Sequence, residues 1–252
     1  MTEVTVALTP ITDDVLAVEA SVDIRALLVF GQDFTLLMDA LTRPADLDGV
    51  REEVARRGKP LLITNSHADW DHWWGNNAFP DAPVIAHRIT TQRQQREGAR
   101  ELAKHQKESP VHFAGVVLRS ATVIFDETLT LDLGGLHVEL SLLPGHVPDE
   151  TVAYIPERRL LFAADAAEDP VPLLNSGPLA GWSDALEAWA RRARIVAPAH
   201  GAVSGPKLLR RNAAYLRGLK SDPGRDVPEL AGANSFYTGA HRRNLKRAAA
   251  IE

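Results

Sequence analysis

The chain of 252 residues contains no cysteine. That absence removes disulfides, thiolate metal sites and cysteine nucleophiles together, so any metal must be held by His, Asp or Glu. No apolar run approaches the roughly 20 residues of a membrane span. The opening MTEVTVALTP has no basic segment leading into an apolar one, so no secretory leader is expected. A dense Lys/Arg block is also missing and the formal net charge is −5. Neither nucleic acid nor a membrane is therefore expected as a partner. A cytoplasmic protein acting on a small-molecule substrate is what these exclusions leave.

What is present is ordinary for a globular chain, with 45% apolar and 24% charged residues. The length suits one large α/β domain and is short for two. A single domain over residues 1–252 is expected, with a C-terminal helical extension from about residue 221.

The pattern along the chain predicts short strands at Val4–Leu8, Val15–Val18, Ile24–Phe30 and Thr35–Met38, separated by turn residues. PADLDGVREEVARR, residues 44–57, has helical spacing and stops at Gly58. An apolar strand at 60–64 follows, then a strand at Val84–Ala86 and a long polar helix over about 89–108. Further strands are expected at 121–125, 128–132, 136–143, 151–155, 159–163 and 195–197. Helices are expected around 184–192, 205–219 and 240–250. Two strand-rich halves that each carry helices imply two packed sheets with helices outside.

One stretch concentrates the chemistry. The strand PLLIT runs into NSHADWDHWWGN, where His67, Asp69, Asp71 and His72 fall within six residues. Three later motifs also place a ligand-type residue where an apolar strand gives way to a loop. LSLLPGHVPDE carries His146, LLFAADAAED carries Asp165 and IVAPAHG carries His200. A sheet fixes the backbone at such a point and the loop leaves the side chain accessible.

In order and context, these elements resemble the metallo-β-lactamase-fold hydrolase superfamily, whose signature is His-x-His-x-Asp-His followed by a distant His, Asp and His. The resemblance runs from the N-terminal strands to about residue 219, and it implies an αββα sandwich: two mixed sheets packed face to face with outer helices. It also implies a binuclear site. His67, Asp69 and His146 would hold the first metal, Asp71, His72 and His200 the second, and Asp165 would bridge both. This chain departs from the pattern at Asp69, which stands where the family usually has its second histidine. Asp39, closing the strand TLLM, matches an aspartate that the family places beneath the metal loop.

Imidazole and carboxylate donors suit zinc, with iron or manganese as alternatives, and a bridging carboxylate lets two cations share a water. Such a water becomes a hydroxide nucleophile near neutral pH. Asp71 is given the added catalytic role of orienting that hydroxide and relaying its proton. Asp69 makes the first site more anionic and moves its preference toward iron or manganese.

The expected function is a binuclear metal-dependent hydrolase of a small-molecule ester, thioester, lactone or amide, with glyoxalase-II-like thioesterases and lactonases as analogies. The alternative is a mononuclear iron dioxygenase acting on a persulfide through His67, His146 and Asp165. A β-lactamase and a non-catalytic, metal-stabilised binding module rank below these. Trp70, Trp73 and Trp74 are expected mainly in the core. His87 is read as a structural strand-end residue, and His105, His112 and His137 as surface residues. RQQREGARELAKHQKES, residues 93–109, is read as a solvated helix, and the basic helix beginning near His241 as a docking helix.

Overall fold

The computed structural model describes residues 6–20 and 24–251. The first two residues of the strand expected at Val4–Leu8 lie outside them. The chain falls into two compact units, Met1–Leu140 and Ser141–Glu252.

In the first unit, β1 (Val6–Thr12), β2 (Val15–Ala20), β3 (Ile24–Phe30) and β4 (Thr35–Met38) form an antiparallel meander. Helix α1 (Asp48–Arg57) then carries the chain across to β5 (Leu61–Asn65), which lies parallel to β4. β5 leads into the short helix α2 (Trp70–Trp73), which the sequence pattern had not indicated. β6 (Val84–His87) pairs parallel with β5, followed by α3 (Arg88–Glu108), α4 (Pro110–Phe113) and β7 (Val123–Phe125). The sheet order follows the chain from β1 to β7. Every residue of β3 and β4 is buried, which is why both read as near-continuous apolar runs without polar alternation.

Two apolar clusters hold this unit. Val18, Leu28, Leu37, Leu47, Val50, Ile63 and Val84 join the sheet to α1. Trp73, Trp74, Leu102, Phe113 and Val116 join the loop after β5 to α3 and α4. α1 ends at Gly58 in the left-handed conformation, φ 65°, as its sequence position implied.

β8 (Thr128–Asp132) and β9 (His137–Leu142) follow, the latter crossing the boundary between the units. The second unit contains β10 (Thr151–Ile155), β11 (Leu160–Ala164), α5 (Trp182–Arg192), β12 (Ile195–Pro198), α6 (Lys207–Ser221) and α7 (Ser235–Ala250). The second sheet has the order β12-β11-β10-β9-β8. β10 and β11 are antiparallel, whereas β11 and β12 are parallel and joined through α5. α5 buries Trp182, Leu186, Trp189 and Ala190, a one-sided stripe at helical spacing, in a core shared with Leu161, Val196, Leu209 and Leu216.

Two sequence expectations change here. α3 is not a solvated helix, because it buries Thr90, Thr91, Gln94, Gly98 and Leu102. Only one of those five is strongly apolar, so the buried stripe was invisible to hydrophobic periodicity. α7 begins at Ser235 rather than near residue 240, and the Asn234 side chain caps it by accepting from the Tyr237 N–H at 3.2 Å. Among the described residues no helix is long and apolar enough to cross a membrane.

Candidate metal centre

The four candidate ligands of the first unit follow the carboxyl end of β5, and Asp39 follows that of its parallel neighbour β4. Met38 pairs with Thr64, so Asp39 and the segment Ser66–His67 leave the sheet side by side. Asp39 takes the left-handed region at φ 63°, uncommon for a residue other than glycine and concentrated at functional sites. Its carboxylate accepts the Ser66 N–H and the Ser66 hydroxyl, both at 2.7 Å, and faces His72 Nδ1 at 2.8 Å. Since the Ser66 hydroxyl donates to Asp39, its oxygen is left to accept from His67 Nδ1, 3.0 Å away. Both imidazoles are thereby held in the tautomer with the proton on Nδ1 and the lone pair on Nε2, the metal-binding form. His67 and His72 are fully buried, with ring centroids 4.0 Å apart. Asp39 thus contacts the segment that carries His67 and His72.

Asp69 and Asp71 flank the same cluster and are half-buried. His67 Nε2 lies 3.9 Å from Asp69 Oδ2, and His72 Nε2 lies 3.7 Å from Asp71 Oδ1. The other oxygen of Asp69 accepts from the Arg93 guanidinium on α3, and Arg93 Nε reaches Glu97 at 3.2 Å. Farther along α3, burial, and after it the negative charge of Asp69, pushes the Glu101 carboxyl up to about 7.

In the second unit, backbone topology does the positioning. Asp165 follows β11 and His200 follows β12, and these parallel neighbours pair Ala164 with Pro198. The Ala199 N–H donates to the Ala164 carbonyl at 2.9 Å, which holds the two strand ends together beyond the sheet. Ala164 sits at φ 44°, again a left-handed residue immediately before a candidate ligand. Asp165 Oδ1 lies 3.6 Å from His200 Nε2, and Asp165 Oδ2 lies 3.6 Å from His146 Nε2.

His146 is clamped by the loop after Asp165. Its carbonyl accepts the N–H groups of Asn175, Ser176 and Gly177 at 3.0–3.1 Å, and its Nδ1 donates to the Leu173 carbonyl at 2.7 Å. A side chain at Gly145 would meet the Trp182 ring at 2.5 Å, so glycine lets the turn before His146 lie against that ring. The loop is pinned in turn from α6 and α7. Asn244 donates to the Pro172 carbonyl at 2.7 Å and accepts the Leu174 N–H at 2.8 Å. Asn212 and the Glu168 backbone exchange hydrogen bonds at 2.9 and 3.0 Å.

Sequence reasoning passed over Glu168. It is buried, accepts the Leu173 N–H at 3.0 Å, and groups with His146 and Asp165 as a set able to hold a cation. Burial pushes its carboxyl up to about 7, with the charge of Asp165 adding to the effect. Glu150 was missed too, although it lies in a motif already singled out, and it accepts the Asp165 N–H at 3.3 Å. Arg93, Asn212 and Asn244 carry no local signature, since each acts on a loop far from it in sequence.

Four imidazole Nε2 atoms therefore each lie 3.6–3.9 Å from a carboxylate oxygen. That is too long for a direct hydrogen bond. It is close to the separation of two donors that share one cation, roughly 3.4 Å for tetrahedral ligands at about 2.1 Å. The donor set fits a hard or borderline divalent metal.

Residues 23–200 match the family model of the metallo-beta-lactamase superfamily. The chain belongs to this superfamily. In fold it is similar to a metallo-beta-lactamase from Pontibacter korlensis, at 20% identity and TM-score 0.66 over 84% of this chain and 99% of that one. It is likewise similar to the DIM-1 metallo-beta-lactamase, at 18% identity and TM-score 0.67 over 85% and 99% of the two chains. A metallo-beta-lactamase from Erythrobacter litoralis matches at 16% identity and TM-score 0.66 over 85% and 99%. No curated protein sequence matches the chain. The fold is the α/β sandwich of the superfamily, with its two mixed sheets and their helices, as expected from sequence. Superfamily members are mostly metal-dependent hydrolases that bind divalent cations.

The remaining expectations divide. Trp73 and Trp74 are core residues and Trp70 is half-buried. His87 is structural: it caps α3 by accepting the Ile89 N–H at 3.2 Å and reaches the Asp126 carbonyl at 2.7 Å. His137 is exposed. His105 is no simple surface residue, since its ring packs 4.8 Å from Trp70 and 5.3 Å from Trp74 and Phe113. His112 is half-buried, with its Nδ1 3.2 Å from Arg43.

Proposed function

We propose that the chain is a binuclear metal-dependent hydrolase of a small-molecule ester, thioester, lactone or amide. The spacing of four imidazole nitrogens from carboxylate oxygens, 3.6–3.9 Å each, carries this reading. In it, the two half-sets serve one centre, as superfamily membership over a segment containing all seven residues supports. His67, Asp69 and His146 would hold one cation, and Asp71, His72 and His200 the other. Asp165, with an imidazole 3.6 Å from each of its oxygens, would be shared between them. Zinc is the metal that this mixture of imidazole and carboxylate suits first, with iron or manganese able to take the same donors.

When bound, the cations would acidify a shared water and polarise the scissile carbonyl. The chain's own residues do the rest. Asp39 and Ser66 hold Nδ1 of His72 and His67, so both rings turn Nε2 toward the site. The Leu173 carbonyl does the same for His146. Asp71, half-buried beside His72, is the carboxylate assigned to accept a proton at its oxygen and pass it to the leaving group. The segment from Glu168 to Gly181 includes the loop that clamps His146 and is the candidate for substrate selection.

The test is turnover of a panel of thioesters, lactones, esters, amides and a β-lactam under nitrogen, with metal content measured on the same sample. The β-lactam belongs there because the solved structures of like fold carry that name. Hydrolysis of at least one class with two metals per chain is the expected result. One iron per chain with oxygen consumption on a persulfide would replace this reading by the dioxygenase one.

A further inference from the structure

We infer that Arg93 and Asp69 work as one unit. The guanidinium cancels the carboxylate's charge, so that Asp69 presents the first cation with a donor of about the net charge of the imidazole that usually stands at this position. The inference rests on the metal-site reading above and adds to it a positioning residue that sets which cation the site prefers.

The two oxygens of Asp69 have separate tasks. Oδ1 takes the Arg93 guanidinium, and Oδ2 lies 3.9 Å from His67 Nε2, on the side where a cation would sit. The guanidinium is held in place, because its Nε is tied to Glu97 one turn on and its side chain is only 15% exposed. α3 cannot readily shift it. Gln94 donates to Asn65 at 3.1 Å and accepts the Ala121 N–H at 3.1 Å, locking the helix to the strand that leads into the metal loop. A turn later, Gly98 approaches the Trp73 ring so closely that an added Cβ would come within 2.8 Å of it.

The charge count gives the pair its purpose. Replacing a neutral imidazole by a lone carboxylate adds one negative charge to the first cation's surroundings and moves its preference toward harder metals. A less positive centre also acidifies its water less. A fixed cation on the far oxygen offsets both effects at this short range, because both side chains are largely buried. The shift toward iron or manganese expected from Asp69 alone is thereby cancelled, and zinc remains the preferred ion. The same pairing turns Asp69→His into an unfavourable change on its own, since it sets an imidazole against the guanidinium and takes away the carboxylate that Asp69 gives it.

The test uses the full chain and four variants: Arg93→Gln, Arg93→Lys, Asp69→His and the double variant Asp69→His with Arg93→Gln. Each is loaded in an equimolar mixture of zinc and manganese, and bound metal is counted by mass spectrometry. Arg93→Gln should lose zinc preference by roughly tenfold, within the range for altered metal-ligand partners. Arg93→Lys, which keeps the charge, should retain most of it. The double variant should bind zinc better than Asp69→His alone. Arg93→Gln loading like the parent chain, or Lys and Gln behaving alike, would overturn the pairing. A parent chain that takes up neither metal would overturn the metal-site reading itself, and the pairing with it.

Discussion

The two units hold their candidate ligands by opposite means. In the first, His67, Asp69, Asp71 and His72 are neighbours in sequence, and side chains fix their orientation: Asp39, Ser66 and Arg93. In the second, His146, Asp165 and His200 come from three distant loops and backbone fixes them, through parallel strand ends and a loop whose amides and carbonyl clamp His146. A local cluster on a short helical turn needs outside groups to choose tautomers and charge. Ligands at neighbouring strand ends inherit their spacing from the sheet. Both halves also set a left-handed residue at the carboxyl end of a strand, Asp39 in one and Ala164 in the other, which turns the chain sharply at the site.

The contrast predicts unequal damage from single substitutions. Asp39→Ala should be the most harmful, because one carboxylate serves the Ser66 amide, its hydroxyl and His72. Leaving these buried donors unsatisfied should cost about 3 kcal/mol in the metal-free chain and weaken metal binding roughly 10–100-fold. Asn244→Ala acts on His146 through the Pro172–Leu174 backbone, two bonds removed from it, and also gives up the hydrogen bond to the Tyr215 hydroxyl. Its metal affinity should fall no more than about tenfold. Denaturant melts and metal titrations of the two variants decide it, and an Asn244 variant as impaired as the Asp39 one would erase the proposed difference.

How much of this was legible in the sequence follows the same division. Strand-end motifs pointed to the seven residues of the proposed site but not to Glu168, and Asp39 was singled out by its match to a family aspartate at the end of the strand TLLM. The sheet elements were readable because β3, β4, β10 and β11 are continuous apolar runs. What escaped depends on contacts between distant segments. Arg93 meets Asp69 from a helix that read as solvated, because its buried face is made of Thr, Gln and Gly. Asn244 secures a loop some 70 residues earlier, and nothing in HRRNLKRAAA announces it. His105 looked like a surface residue until the aromatic rings of Trp70, Trp74 and Phe113 were placed around it.

The smallest expected effect concerns Glu101, which belongs to neither ligand set. Burial, and then the charge of Asp69, raises its carboxyl from 4.5 to about 7. Between those values the folded chain keeps a proton that the unfolded chain has released, so stability falls as pH rises through that window. Glu101→Gln removes this contribution. In metal-free protein, the drop in Tm between about pH 5 and about pH 8 should shrink by about 2 °C relative to the parent. An unchanged drop would mean that Glu101 is ionised throughout.

The claim on which everything else depends is that two separately held half-sets serve one pair of cations. Anomalous X-ray scattering from crystals of the metal-loaded protein tests it directly. The account predicts two cations per chain, one contacted by His67, Asp69 and His146, the other by Asp71, His72 and His200, with one oxygen of Asp165 on each. A single cation, or one held by His146, Asp165 and Glu168 without any residue of the His67–His72 segment, would contradict it.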